Sequence, residues 1–131
     1  MIECDYILRM ISQLAAVMAK ILFAKNAQNY AEALQIAQRS YEQLLGLNGE
    51  LVERMDAATI AMLLGEKEKI KVLASLLQEE GDILLLQGRK PEGEAKYEKA
   101  LALLQSPFTT GDADCQAAIA ALQKRGVRHQ L

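Results

Sequence analysis

Apolar residues between Cys4 and Lys25 fall at Ile7, Ile11, Leu14, Met18 and Ile21, steps of three and four that trace one face of a helix. At about 100° per residue, Leu8, Ala15 and Leu22 flank this stripe on one side and Tyr6, Met10 and Val17 on the other. The apolar arc is then about 200° wide, against the ~100° of an ordinary surface helix, and Arg9, Ser12, Gln13 and Lys20 fill the remainder. Such a helix needs cover on two sides, from two neighbouring helices or from one neighbour and a second subunit.

A second helix is expected from about Asn29, an acceptable N-cap, to Leu45, with Gly46 placed to end it in the left-handed conformation and Leu47 able to fold back. Asn48 to Leu64 reads as short pieces: Asn48-Gly49 is a turn signal, and Asp56 caps a brief helix through Ala57, Ile60 and Leu64 before Gly65. Glu66 to Gln87 forms a long helix with Ile70, Leu73, Leu77, Ile83 or Leu84, and Leu86 on its buried face. Gly81, in its interior, is expected to serve close packing, since it costs about 1 kcal/mol relative to Ala there. Gly88-Arg89-Lys90-Pro91 makes a tight connection to a helix over Glu92 to Gln105. Ser106-Pro107 closes that helix, and Thr109-Thr110-Gly111-Asp112 supplies loop and cap chemistry for a last helix through Ala118, Ile119 and Leu122 to Arg125, ended by Gly126.

Composition agrees with packed helices. Hydrophobic residues make up 51% of the 131 but aromatics only 5%, with no Trp and two prolines, Pro91 and Pro107. A chain of this length buries enough surface to fold without a disulfide or metal staple. Fifteen basic against 17 acidic residues give a net charge of -2, which supplies no general attraction to nucleic acid or anionic lipid. The acidic start Met1-Ile2-Glu3-Cys4-Asp5 and the polar interruptions at Arg9, Ser12, Gln13 and Lys20 read as neither a secretory signal nor a membrane span. Cys4 and Cys115 form no close-spaced pair, as expected of reduced thiols in the cytoplasm.

The segment from Ala74 to Pro107, ASLLQEEGDILLLQGRKPEGEAKYEKALALLQSP, resembles one tetratricopeptide repeat and has the length of that repeat's period. The small residue of the repeat's first helix falls on Gly81, its apolar positions on Leu77 and Leu84, and its turn glycine on Gly88. In the second helix the small residue falls on Gly93, the aromatic on Tyr97 and the alanine on Ala100, with Pro107 near the terminal proline. Glu80 and Lys90 depart from the Leu and the aromatic that the repeat prefers. The stretch NYAEALQIAQRSYEQLL, Asn29 to Leu45, is similar to a second such helix: Tyr30, Ala33, Ala37 and Ser40 stand where Lys90, Gly93, Tyr97 and Ala100 do. That displacement exceeds one repeat period, so an insertion separates the two units. The opening Asp5-Tyr6-Ile7-Leu8-Arg9-Met10-Ile11 resembles an uncharacterised bacterial family of short tetratricopeptide-like proteins, a domain of unknown function. The resemblance implies an all-α fold of two antiparallel hairpins, 1–47 and 66–107, a helical insertion at 48–65, and a C-terminal capping helix and tail at 108–131. It also implies a groove that takes a protein or peptide partner, with Gln78, Asp82 and Leu85 at groove-facing positions.

Catalysis finds no support. There is no nucleophile elbow, P-loop, dinucleotide fingerprint, His-Glu-x-x-His helix or close cysteine pair, so neither an enzyme nor a cofactor or metal is expected. The single histidine, His129, lies in the tail, and Cys4 and Cys115 with Asp5, Asp114 or His129 match no zinc spacing. Glu79, Glu80 and Asp82 point about 100° apart per residue and cannot all converge on one cation, so they read as a solvated face. Lys124, Arg125 and Arg128 compensate a helix end and lack the aromatics that stack single-stranded nucleic acid. Ile83-Leu84-Leu85-Leu86 cannot share one core face, so one or two should be exposed or meet a partner. The expectations are a protein-interaction module or small scaffold, or a structural homodimer through Tyr6, Met10 and Val17 or Leu8, Ala15 and Leu22, with an unrecognised ligand pocket a distant third.

Overall fold

The computed structural model describes residues 2–125, with side chains from Asp5 onward. The Cys4 thiol, Gly126, Arg128, His129 and the tail lie outside the described residues. The chain forms α1 (Ile2–Asn26), α2 (Tyr30–Leu45), α3 (Gly49–Arg54), α4 (Ala57–Leu64), α5 (Lys67–Leu86), α6 (Lys90–Leu104), a 3-10 turn (Pro107–Thr109) and α7 (Ala113–Lys124), with no strand among the described residues.

The helix ends follow the capping chemistry of the sequence. At the end of α2, Gly46 is left-handed (φ 68°); its N–H donates to the Glu42 carbonyl and the N–H of Leu47 to that of Tyr41, which turns Leu47 into the core. Asp56 and Asp112 accept from the backbone N–H of Thr59 and Cys115 and so start α4 and α7. Asn48-Gly49 opens α3 instead of making a free turn, because the Asn48 side chain accepts from the N–H of Glu50. The 3-10 turn, expected only as loop, is held by buried Thr109, whose hydroxyl turns back to the Leu104 carbonyl that ends α6, at 2.5 Å, and to the Ser106 carbonyl just beyond it, at 3.0 Å.

Two helix pairs share one connection. Between α1 and α2, the N–H of Gln28 donates to the Lys25 carbonyl and that of Asn29 to Ala24; between α5 and α6, Gly88 donates to Leu85 and Arg89 to Leu84. The cap contacts correspond in the same way, Asn29 to Glu32 at 2.7 Å and Arg89 to Glu92 at 2.7 Å. Gly88 takes φ 78° in the second turn, and Gln28 takes φ 61° at the equivalent place in the first.

Helix α5 is central. It packs against both α6 and α2, and its Ile70, Leu73, Leu76, Leu77 and Ile83 are fully buried, Ile83 in a cluster with Ile21, Ala24, Ala33 and Ala37 of α1 and α2. The α5–α6 crossing is tight at Gly81 and Gly93: a Cβ on Gly81 would lie 2.7 Å from Cδ1 of Tyr97 and 3.0 Å from the Gly93 carbonyl, and one on Gly93 would lie 2.9 Å from the Gly81 carbonyl. Close packing at Gly81 was the expectation. The short helices are anchored as well: Val52, Ile60, Ala61 and Leu64 are buried, and the Lys99 ammonium donates to the Val52 and Glu53 carbonyls at the end of α3.

In α1 the buried line is rotated from the expected stripe. Met10, Ile21 and Ala24 are buried, with Leu14 and Val17 packed beside them, whereas Ile11 is exposed. Periodicity set the width of the arc but not which part of it faces the core.

Candidate interaction surfaces

The three acids of α5 do diverge, but they are not a solvated face. Glu79 pairs with Lys25 of α1 at 3.1 Å. Asp82 accepts from the Tyr97 hydroxyl and pairs with Arg125 at 3.0 Å. Glu80, 1% exposed, accepts from the Tyr41 hydroxyl and from Gln38 at 3.2 Å, and pairs with Lys96 at 3.4 Å. Burial and the Glu80 carboxylate push the Tyr41 phenol far above its ordinary range. Sequence reasoning missed this network because its partners stand on other helices, far along the chain; the only local signal is a charge at a position where the resembling repeat prefers Leu.

Of the expected groove positions, Gln78 and Asp82 face the chain's own last helix and its end. Lys71 meets Asp114 at 3.4 Å and Asp82 meets Arg125 at 3.0 Å, at equal sequence separations, so α7 runs parallel to α5 along its length. Gln78 lies in a cleft of about 140 Å³ between these helices with Cys115 and Ala118, and Leu85 packs against Gly93. Burial pushes the Cys115 thiol up. Asp112 pairs with Lys67 at 3.2 Å and Lys71 at 3.5 Å; the bond from the Cys115 N–H, reinforced by these ammonium groups, holds its carboxyl down to about 2. Leu86, expected on the buried face of α5, is exposed, in keeping with a leucine run that cannot share one core face.

A second concavity, about 350 Å³, lies between α2 and α6 above Glu80, lined among others by Glu53, Glu92, Arg89, Lys96 and Lys99. Its charges are matched internally: Lys96 with Glu53 and Glu80, Arg89 with Glu92. Among the described residues no group of three His, Cys, Asp or Glu could hold a metal ion.

The outer side of α1 is different. Leu8 is 59% exposed, Leu22 54% and Phe23 78%, with Ile11, Ser12, Ala15, Ala16 and Ala19 exposed on the same side. Of the expected self-association residues, Leu8, Ala15 and Leu22 therefore share an open face. Met10 is withdrawn into the core and Val17 is half-buried, because their flank packs onto the domain; Tyr6 lies under the Lys69 ammonium, 5.3 Å from its ring centre. Phe23, not singled out from sequence, extends the open face to a groove of about 390 Å³ with α2, lined by Ala19, Ala27 and Ile36 and rimmed by Lys20 and Glu32. By length and composition alone Asp5–Asn26 is apolar enough to cross a membrane, even though its polar interruptions argued against a span.

The described residues form an all-helical protein whose α1 leaves Leu8, Leu22 and Phe23 open to solvent. Residues 1–114 match the model of a family described as Family of unknown function (DUF6483), and the chain belongs to that family. No curated protein and no solved structure matches it.

Proposed function

We propose that this chain is a protein-interaction module or small scaffold, built from two tetratricopeptide-like hairpins, that works in the cytoplasm and docks through the outer face of α1. The observation that carries this reading is the exposure of Leu8, Ile11, Leu22 and Phe23 on one face of a terminal helix. Terminal units of a helical stack normally present a polar outer face, and contiguous exposed apolar surface marks a site of association. The turn shared by Gln28-Asn29 and Gly88-Arg89 supports the hairpin kinship. Gln78, Asp82 and Leu85 are half-buried and Asp82 is engaged by Arg125, so α1 offers the larger open surface.

A second reading, a structural homodimer, draws on the same face. Capture of partners from native extract by wild type and by Phe23→Glu, both verified as folded by circular dichroism, tests the primary reading. Partners retained by the wild type and lost by Phe23→Glu are expected; an identical set on both proteins, or none on either, contradicts docking of foreign proteins at α1.

A further inference from the structure

Independently of the α1 reading, we propose that α7 is a displaceable cap, and that the face of α5 and α6 beneath it takes a helix from a partner protein. That helix carries acids in its first turn, a bulky apolar side chain one turn further on and a base about three turns on. The charges set this polarity. Lys67 and Lys71, near the start of α5, meet Asp112 and Asp114 at the start of α7, and Asp82, near the end of α5, meets Arg125. Lys71 to Asp82 and Asp114 to Arg125 each span about three turns, so the two clamps are in register. On α5 these charges oppose its own dipole, with bases at the positive end and an acid towards the negative one, whereas on α7 they agree with it. The α5 pattern therefore complements a parallel helix charged as helices ordinarily are, and α7 is the example in place.

The hold of α7 is light. Of its 12 residues only Cys115 and Leu122 are buried, and Ala118, Ile119 and Ala121 are half-buried. Ion pairs supply its polar hold on α5, and exposed Lys67 and Asp114 are open to screening by salt. Parallel packing also sets like dipole ends side by side, a repulsion that these pairs must offset. Thr109 anchors the 3-10 turn to the end of α6, so release of α7 can stop at Thr110 and leave that helix end intact. The family match ends at Asp114: the face lies within the matched residues, and nearly all of its cover lies beyond them.

The fit of α7 is incomplete as well. The cleft of about 140 Å³ between α5 and α7 is bounded by Ala74, Ser75 and Gln78 on one side and by Cys115 and Ala118 on the other, with Leu104 of α6. Small side chains at 115 and 118 leave this space, and its lining forfeits the contacts a larger neighbour would make. A helix with leucine in the place of Ala118 fills the cleft and binds more tightly than α7 does. This favours a partner's helix over the α7 of a second copy, whose small residues would leave the same space.

Hydrogen exchange of the full chain, read by mass spectrometry, tests both parts. Amides of α7 are expected to exchange at least about tenfold faster than those of the buried turns of α5, and to quicken in ~1 M salt while α5 does not. Exchange of α7 and α5 at one common rate means that α7 leaves only on global unfolding and overturns the cap. At low salt and in reductant, a synthetic peptide of residues 112–125 carrying Ala118→Leu is then added. It should speed exchange of the chain's own α7 in proportion to its concentration, because it occupies the opened face. The same peptide with Ala118 retained should need about tenfold more. Equal potency of the two peptides assigns the face to the α7 of a second copy and overturns the partner helix. No effect of either peptide, or an effect that survives Asp112→Lys with Asp114→Lys in the peptide, overturns it too.

Discussion

The Tyr41 hydroxyl donates to the buried carboxylate of Glu80, joining α2 to α5 at the centre of the molecule. Tyr41→Phe removes a donor to a charged acceptor that keeps Gln38 and Lys96, and should cost about 1–2 kcal/mol. Glu80→Leu leaves the buried tyrosine hydroxyl without its partner and should cost about 3 kcal/mol. Because the two changes remove the same bond, the double variant should lose at least about 1 kcal/mol less than the sum. Urea denaturation of the four proteins measures this coupling, and strict additivity would show that the bond does not hold the helices together.

Gly81→Ala sets helix propensity against packing. An exposed helix position would gain about 1 kcal/mol from alanine. Here the new methyl meets the Tyr97 ring and the Gly93 carbonyl, so a net loss of about 1–3 kcal/mol is expected. A lowered thermal midpoint checks it; an unchanged or raised midpoint would mean that α5 and α6 separate easily.

The first interhelical turn holds Gln28 in the left-handed conformation that Gly88 adopts in the second. A side chain there costs about 1–2 kcal/mol, partly offset by the greater unfolded-state freedom of glycine, so Gln28→Gly should stabilise by about 0.5–1 kcal/mol. A rise in the urea midpoint with unchanged slope is the expected result.

Asp112 gives a pH signature. Its carboxyl titrates at about 2 in the folded chain, below the ordinary value of 3.8, so it binds a proton less readily when folded. Its contribution is present in full above pH ~4 and disappears as pH falls through ~2. Asp112→Ala should therefore be less stable than wild type at neutral pH, with the difference shrinking between about pH 4 and pH 2. A constant difference across that window would remove the charge from the account of how α7 is held.

Much of the helix layout was legible in the sequence, because helix ends are written locally: Gly46 with Leu47, Asp56 and Asp112 act where their side chains and backbone freedom dictate. The correspondence between Asn29 to Leu45 and the later helix was legible too, and the same turn precedes both. Glu80 was not legible as a buried group, since an acid among Glu79, Glu80 and Asp82 acquires its meaning only from Tyr41, Gln38, Lys96 and Arg125 on other elements. The open face was half legible. The width of the α1 arc announced surplus apolar surface, and Leu8, Ala15 and Leu22 lie on the open flank, but Met10 turned into the core and Phe23, to which periodicity assigned no role, joined the open face once α2 and α5 packed on one side of α1.

The central claim is that the outer face of α1 is a docking surface for another protein. Capture from native extract by wild type and by Leu22→Glu reads it most directly. The account predicts partners retained by the wild type and lost by a Leu22→Glu protein that remains folded and matches the wild type in thermal midpoint. An identical set on both proteins, or none on either, would contradict it.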